Sequence, residues 1–274
     1  KYENEGLILK YCTLFDYAKL GFHQIVMVAV NCIDRGILKN ELQNMSGVIS
    51  YGDIISNYDM FITFVFKDKI EFYNVFNEFL RKNAKNILKY TTFDTTYFEF
   101  FDLKIFDIPK PEKDFVIFTS QPNIALTEKD KKILSLISDN GRMKITEISK
   151  VVNLTCPAVL KKLKYYRESG IIQGVRLVFD MEKLGYYWAQ LHLRLNCADQ
   201  KTMNKIISFC RYHKFVNSII FSVGLFNCAI QVIYHSDEEM RETVREIRDA
   251  FKQNILEYNL CFAENEGIVR TFPF

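Results

Sequence analysis

Several features that would mark an enzyme, a secreted protein or a membrane protein are missing from this sequence. No apolar run approaches the ~18 residues of a membrane-spanning helix, and the chain does not open on a signal peptide. The sequence also lacks a glycine-rich phosphate loop, a paired-carboxylate motif and the cysteine or histidine spacing of a metal site. These absences argue against a membrane partner and predict a protein with no catalytic residues, no metal and no cofactor.

Cysteine is present, but without the spacing of a disulfide framework or a redox pair. The seven cysteines include no CxxC pair, and most of them fall inside apolar segments. An odd number of thiols without framework spacing is typical of reduced, buried cysteines. We therefore expect a cytoplasmic protein.

Charge is nearly balanced over the whole chain but not along it. The net charge is +3, and 49% of the residues are hydrophobic, which favours a folded chain over a disordered one. Residues 110–183 contain 14 basic and 9 acidic side chains, whereas 1–109 contain 12 and 14, and 184–274 contain 10 and 10. The positive excess lies in one central segment, as expected of a module that binds a polyanion.

This central segment, residues 126–174, has the pattern of a winged helix-turn-helix. A capping box at Thr127 opens a first helix, and Asn153 closes a second one. Thr155 can cap a third helix, which stops at Gly170 before an apolar strand. Two helices separated by a tight turn, with a helix ahead and a strand behind, are typical of DNA-binding winged helices.

The third helix has one apolar face and one basic face. Val159, Leu163 and Tyr166 fall on the apolar face, while lysines and a tyrosine fall on the other. A solvated lysine face, or a winged helix that binds protein, would give a similar pattern. We favour DNA binding and expect the contacts to come from Arg142, Thr155, Cys156, Ala158, Lys161, Lys162, Lys164, Tyr165 and Arg176.

The chain contains an internal repeat. Residues 5–22 align with residues 169–186 at an offset of 164, and residues 86–90 align with residues 254–258 at an offset of 168. Agreement at two distant places indicates a tandem duplication with small insertions. The first unit begins at what corresponds to the end of the third helix, so we expect a first winged helix to lie upstream or to have been lost.

After each wing the same order of patterns follows, strand, helix, two strands, helix and strand. This βαββαβ order is the ferredoxin-like motif, an antiparallel sheet with both helices on one face. The sequence therefore predicts an α+β fold, with a winged helix-turn-helix and two ferredoxin-like domains. The uncovered sheet faces predict that the two domains stack on each other within the chain, as two subunits of a dimer would.

These patterns predict five segments. A proline-containing linker separates the two units, and Phe115–Phe118 within it is apolar enough to dock as a short strand. The expected boundaries are a remnant wing at 1–22, a first βαββαβ domain at 23–106, the linker at 107–125, the winged helix-turn-helix at 126–186 and a second βαββαβ domain at 187–274.

Taken together, the motifs resemble the Lrp/AsnC ("feast/famine") family of transcription regulators, which join a winged helix to a RAM-type βαββαβ domain. The resemblance covers residues 126–274 as a full unit and residues 1–106 as a unit without its DNA-binding winged helix. It implies a sequence-specific, DNA-binding transcriptional regulator whose partners are double-stranded DNA and further copies of itself. The motifs that carry it are Asp130-x-x-Ile133-Leu134, Asn140-Gly141-Arg142, Leu154-Thr155, Lys161-Lys162, Gly170-Ile171-Ile172-Gln173-Gly174 and Leu184-Gly185-Tyr186.

The resemblance also implies a small effector, an amino acid bound through a Gly-x-x-Asp loop between the second and third strands. The glycine permits close backbone approach, and the carboxylate can pair with an amine. Here the two copies of the loop are Ser56-Asn57-Tyr58-Asp59 and Gly224-Leu225-Phe226-Asn227, so each departs from the motif at a different end. The candidate effector residues are Ser56, Asp59, Gly224 and Asn227, and a changed ligand or none are both open.

Two other functions compete with DNA binding. One is a ligand-sensing or assembly scaffold that does not bind DNA. The other is an enzyme, because sirohaem decarboxylases share the two-domain plan, but that resemblance would require histidines near the second and third strands. Residues 216–230 contain none, and the four histidines of the chain fall in strand or helix patterns that suit a structural role.

Overall fold

The computed structural model of the chain describes residues 2–106, 115–118, 123–138, 140–196, 199–268 and 271–273. Most of the predicted linker, residues 107–114 and 119–122, lies outside these ranges. The described residues form helices and sheets together with a winged helix-turn-helix, which confirms the predicted α+β class. None of the described helices has the length and the apolar character that crossing a membrane would require.

The first unit begins with a separate strand and continues as β-α-β-β-α-β. Asp34 and Asp68 cap its two helices, each accepting hydrogen bonds from two backbone N–H groups of the first turn. Its elements are β1 (Ile8–Phe15), β2 (Gln24–Cys32), α1 (Arg35–Leu42), β3 (Val48–Ile55), β4 (Met60–Phe66), α2 (Lys69–Lys82) and β5 (Ile87–Phe100).

A short strand and the winged helix follow. The predicted docking of the linker strand is confirmed, because it pairs with the end of β5. The second helix of the winged helix ends at Asn153, whose φ of 50° lies in the left-handed region. The elements are β6 (Phe115–Phe118), α3 (Glu128–Ser138), α4 (Ile145–Val152), α5 (Cys156–Glu168) and β7 (Ile172–Phe179).

The second unit repeats the order of the first. Strand β7 occupies the place that β1 has in the first unit, and a second β-α-β-β-α-β series follows it. Its elements are β8 (Tyr187–Leu195), α6 (Gln200–Tyr212), β9 (Val216–Val223), β10 (Cys228–Tyr234), α7 (Asp237–Ala250) and β11 (Ile255–Ile268).

The two units are joined edge to edge, an arrangement that was not predicted, and their uncovered sheet faces also meet inside, where the centroids of the Phe61 and His192 rings lie 5.2 Å apart. Neighbouring strands run β2-β4-β3-β11-β8-β10-β9-β5, and β5 pairs again with β2. The described strands therefore form a closed ring of eight. Each isolated sheet would leave two edges with unpaired N–H and C=O groups, and the two seams, β3–β11 and β5–β9, satisfy them.

Alternate residues of the strands serve two different cores. In β2, Val26, Val28 and Val30 pack outward against the helices of the first unit. Ile25, Met27 and Ala29 point into the ring and belong to a core that extends into the winged helix. The interior of the ring is therefore continuous with the packing of the winged helix.

Strands β1 and β7 form a two-stranded sheet, which we call the paired wing. Ile8 lies opposite Phe179 and Phe15 lies opposite Ile172, so each strand makes the same contacts to the other. Gly6 and Gly170, which the repeat aligns, both have positive φ, at 65° and 71°. The paired wing therefore has local two-fold symmetry within one chain.

The winged helix is fixed to the paired wing at the end of α3. The N–H of Gly141 donates to the carbonyl of Tyr11 over 2.8 Å, and the hydroxyl of Thr13 donates to the carbonyl of Ile137 over 2.5 Å. A Cβ on Gly141 would lie 2.7 Å from the Val175 side chain, so any larger residue there would force Val175 to shift. Helices α3 to α5 are therefore positioned by strands of both units.

Candidate nucleic-acid interface

Helix α5 is built from local signals that the sequence displays. The hydroxyl of Thr155 accepts a hydrogen bond from the N–H of Ala158 over 3.4 Å, and Pro157 lies in the first turn, where an N–H is not needed. Val159, Leu163 and Tyr166 are buried, which confirms the predicted apolar face. The opposite side of the helix is therefore directed away from the core.

The outward side of α5 carries cations and exposed apolar atoms. Lys161 and Lys164 are exposed, and Lys164 makes only a 3.7 Å surface ion pair with Glu168. Tyr165 is 49% exposed and Leu160 is 53% exposed. Surface ion pairs of this kind contribute little to stability, so the side chains of both lysines can reorient to bind phosphates.

Lys162 has a different role from the one predicted. Its Nζ binds the Oδ1 of Asp130, which also accepts the hydroxyl of Tyr166 over 2.5 Å. The N–H of Thr127 donates to the other carboxylate oxygen over 2.8 Å. Asp130 is 7% exposed, so this polar cluster holds α3 against α5 from within. Lys162 belongs to the support of the interface rather than to its surface.

The protonation state of this cluster follows from its geometry. Burial acts to raise the pKa of Asp130, but the hydrogen bonds from Lys162, Thr127 and Tyr166 outweigh it and hold the pKa well below the usual range. Burial first, and then the bond to Asp130, raise the pKa of Tyr166. At neutral pH the Asp130 carboxylate is thus ionised and the Tyr166 hydroxyl is neutral.

The two predicted arginines lie in different environments. The guanidinium of Arg142 is 67% exposed and stacks on the Tyr11 ring, with 4.3 Å between the guanidinium carbon and the ring centroid. Arg176 of β7 instead binds the Asn217 side chain and stacks on Phe100, both in the ring. We therefore remove Arg176 from the predicted DNA contacts, because it turns toward the ring of strands.

The remaining predicted residues lie at the start of α5, and two exposed lysines nearby were not predicted. Thr155 is exposed, whereas Cys156 is half-buried with its thiol 3.5 Å from the Ser149 hydroxyl. Lys144 and Lys150, at the two ends of α4, are exposed. The first helix of a helix-turn-helix crosses the DNA backbone. The positions of these lysines at the ends of that helix could therefore have identified them as candidate contacts.

The predicted effector loops are held by hydrogen bonds within the chain. The carboxylate of Asp59 accepts from the N–H of Cys32 over 2.9 Å, and the amide of Asn227 both accepts from and donates to the backbone of Leu195. The two side chains thus close equivalent strand ends, β2 and β8. The hydroxyl of Ser56 bonds within its own loop to Tyr58, and its side chain also bonds to the thiol of Cys261 in β11. Amino-acid binding at these loops stays a prediction.

Gly224 has a packing role at a seam. A Cβ there would lie 3.1 Å from the carbonyl oxygen of Thr92 and 3.2 Å from the Phe93 ring. The residue therefore lets the β9–β10 loop approach strand β5 of the other unit. This contact accounts for the glycine without an effector.

A cavity of about 420 Å³ lies between the paired wing and the ring. Residues of both wing strands and of β2 to β5 and β8 to β10 contribute to its lining. None of the four histidines lines it; His192 lies inside the ring among Phe61, Phe93 and Phe226, where burial lowers its pKa to about 4. Among the described residues, no cluster of three or more His, Cys, Asp or Glu could hold a metal ion.

Comparison with known proteins locates one family match in the chain. Residues 126–173 match the sequence family described as winged helix-turn-helix DNA-binding. This segment runs from the start of α3 to the start of β7 and contains all of α5. The match therefore coincides with the exposed basic helix.

Two curated relatives are similar to parts of the chain. An uncharacterised HTH-type transcriptional regulator of Pyrococcus furiosus is 24% identical over 132 residues, which are 48% of this chain and 85% of that protein. The HTH-type transcriptional regulator LrpA of Pyrococcus abyssi is 41% identical over 59 residues, 22% of this chain and 42% of that protein. One unit of this chain thus corresponds to most of the first relative.

One solved structure resembles almost the whole chain in its fold. The siroheme decarboxylase NirDL superposes with a TM-score of 0.64 and covers 97% of this chain and 78% of its own. Its sequence identity is only 16%, so the likeness concerns the fold alone.

Proposed function

We propose that the chain is a transcriptional regulator of the Lrp/AsnC type and that it binds double-stranded DNA in a sequence-specific manner through α5. Helix α5 lies in the major groove with its exposed face toward the bases. Lys161 and Lys164 neutralise phosphates, and Thr155 and Ala158 in the first turn approach base edges.

The observation that carries this proposal is the exposed basic face of α5 within the segment that matches DNA-binding winged helices. Arg142, Cys156 and Tyr165 border this face and complete the proposed contact surface, together with Lys144 and Lys150 of α4. Lys162 and Arg176 are not part of it, because both are engaged inside the chain.

The variant Lys161→Ala/Lys164→Ala tests the proposed face. Each lost phosphate contact reduces the slope of log K against log salt by about 0.9, so the pair should reduce it by roughly 2 and weaken binding about 10- to 100-fold near 0.1 M salt. Fluorescence anisotropy of a labelled mixed-sequence duplex, titrated at ~50 and ~200 mM salt, measures both quantities.

The matched control is Lys201→Ala/Lys205→Ala on α6, which removes the same charge from an exposed helix of the second unit. We expect nearly unchanged duplex affinity in this control. Equal losses of duplex affinity in both variants would mean that the effect comes from net charge alone. An unchanged affinity in the α5 variant would contradict the proposed face. Selection of bound duplexes from a random pool then tests sequence specificity.

The first alternative, also not an enzyme, is a scaffold that senses a ligand or assembles without binding DNA. It predicts no duplex affinity at either salt concentration, in the wild type and in both variants. Homo-oligomerisation, an amino-acid effector and a cytoplasmic location stay predictions under both functions.

An enzymatic function is the alternative that the fold of NirDL raises. Proton transfer is served best by groups that titrate near neutral pH. The described residues that line the cavity include no His, Asp or Glu, and burial raises the pKa of Tyr17. We therefore propose that the chain is not an enzyme, and we expect no release of carbon dioxide from sirohaem; turnover would contradict this.

A further inference from the structure

The cavity between the paired wing and the ring has the size of a ligand site. Its volume of about 420 Å³ falls within the range of roughly 300–1,000 Å³ that small-molecule pockets occupy. An eight-stranded closed sheet is also just wide enough to hold one small ligand.

The described lining combines apolar walls with cations and neutral polar groups. Phe98, Phe100, Phe179 and Trp188 supply aromatic surface, and Asp and Glu are absent from the described lining. A site with positive charge and neutral donors, but without lining carboxylates, favours an anion over a cation. The polar residues of the lining are Lys10, Ser50, Thr63, Arg176, Gln190, Asn217, Ser218, Gln231 and Thr271.

Arg176 is held in place by a chain of buried amides. Its guanidinium binds the side-chain oxygen of Asn217, whose nitrogen donates to Gln231 over 2.7 Å. The hydroxyl of Ser218 donates to the same Gln231 oxygen over 3.2 Å. Asn217 is 1% exposed and Gln231 is 7% exposed, while the Phe100 ring supports the flat side of the guanidinium at 4.3 Å. The cation is thus oriented before any ligand arrives, which lowers the cost of binding.

We propose that this cavity binds an organic anion, with its carboxylate or phosphate group on Arg176 and its apolar body against Trp188 and the phenylalanines. Both anionic groups match the planar donor pattern of a guanidinium. The site differs from the two effector loops, because none of the residues 56–59 or 224–227 lines the cavity. Anion binding in this cavity does not require DNA, so a negative result for the anion and a negative result for DNA binding can be told apart.

Trp188 is the only tryptophan of the chain and lines the cavity, so it reports on occupancy directly. The probe is 8-anilinonaphthalene-1-sulfonate, an aromatic anion, added to the folded full chain. We expect one bound molecule per chain, with Trp188 emission quenched by energy transfer to the probe. The neutral N-phenyl-1-naphthylamine should bind at least tenfold more weakly. Equal binding of both probes, or probe binding without a change in Trp188 emission, would overturn the proposal.

Two variants separate the charge from the space. Arg176→Gln should weaken the anionic probe at least tenfold, as expected for a lost charge-assisted hydrogen bond, and leave the neutral probe nearly unchanged. Thr63→Phe keeps the cation but fills the cavity, and it should weaken both probes. The control Arg194→Gln removes an arginine that is about half exposed and outside the lining, and it should change neither.

Competition identifies the anionic group. Displacement of the probe by 1-naphthoate but not by 1-naphthyl phosphate assigns a carboxylate, and the reverse assigns a phosphate. Thermal unfolding of each variant checks that the fold is kept. If Arg176→Gln does not fold, quenching of Trp188 in the wild type and the Thr63→Phe variant still decide the outcome.

Discussion

Replacement of Asp130 by alanine should lower the free energy of unfolding of the winged helix by about 3 kcal/mol, because several hydrogen-bonding groups lose a buried charged acceptor together. Lys162, Tyr166 and Thr127 all donate to this carboxylate, and Tyr166 is 1% exposed. The Tyr166 hydroxyl would stay inside without this acceptor, whereas Lys162, which is 33% exposed, and the exposed Thr127 can turn to water. Since α5 is positioned through this cluster, we expect DNA affinity to fall as well.

Hydrogen exchange of peptides from residues 126–173 measures the local loss of stability. In the Asp130→Ala variant, exchange should accelerate much more in these peptides than in peptides from α6 and α7. The control Glu78→Ala breaks a surface ion pair with Lys82, in which both side chains are more than half exposed, and should cost less than about 1 kcal/mol. Similar exchange in the two variants would mean that the cluster does not stabilise the winged helix.

The same carboxylate makes the effect depend on pH. The pKa of Asp130 is lower in the folded state than its ordinary value of about 3.9, so folding favours the ionised form. The stabilisation is fully present above pH ~4 and is lost as the pH falls through the folded-state pKa. The difference between wild type and Asp130→Asn should therefore be largest near neutral pH and should shrink in acid.

Replacement of Glu99 by alanine should lower the global stability by about 3 kcal/mol, because Arg211 and Tyr97 would lose the buried carboxyl group to which both donate. The Glu99 side chain is 1% exposed and accepts from Arg211 of α6 over 2.7 Å and from the Tyr97 hydroxyl over 2.6 Å. Glu99 lies in β5 of the first unit, so its bond to Arg211 ties the two units together.

Urea unfolding followed through Trp188 emission measures this loss, as a lower midpoint at a similar slope. Glu99→Gln keeps an acceptor of the same shape and should cost less than the alanine variant. Glu257→Ala breaks the exposed 3.8 Å pair with Arg194 and should change the stability by less than about 1 kcal/mol. A Glu99→Ala midpoint equal to that of Glu257→Ala would contradict a structural role for the seam carboxylate.

The features that the sequence predicts well depend on residues close together in the chain. The cap at Thr155, the left-handed end at Asn153 and the buried face of α5 follow from periodicity and local hydrogen bonding. The glycines aligned by the repeat also share their backbone conformation, because positive φ is a local requirement of each turn.

The features that the sequence does not predict depend on partners that are far apart along the chain. Periodicity places Lys162 beside the exposed face of α5, but it cannot indicate a carboxylate 32 residues earlier that attracts the cation. The orientation of Arg176 depends on β1 and on β9, strands that lie far from it in the chain. Closure of the ring likewise requires the register between strands more than 100 residues apart, which no local pattern contains.

The two seams of the ring are built from unlike residues, although the repeat aligns them. At the repeat offset of 168, buried Glu99 in β5 corresponds to Gly267 in β11, which pairs with β3. A symmetric homodimer would show every substitution twice, at both junctions, and would separate into subunits on dilution. Here a mutation at Glu99 alters one junction only. Because a single polypeptide holds both halves, their association does not depend on protein concentration.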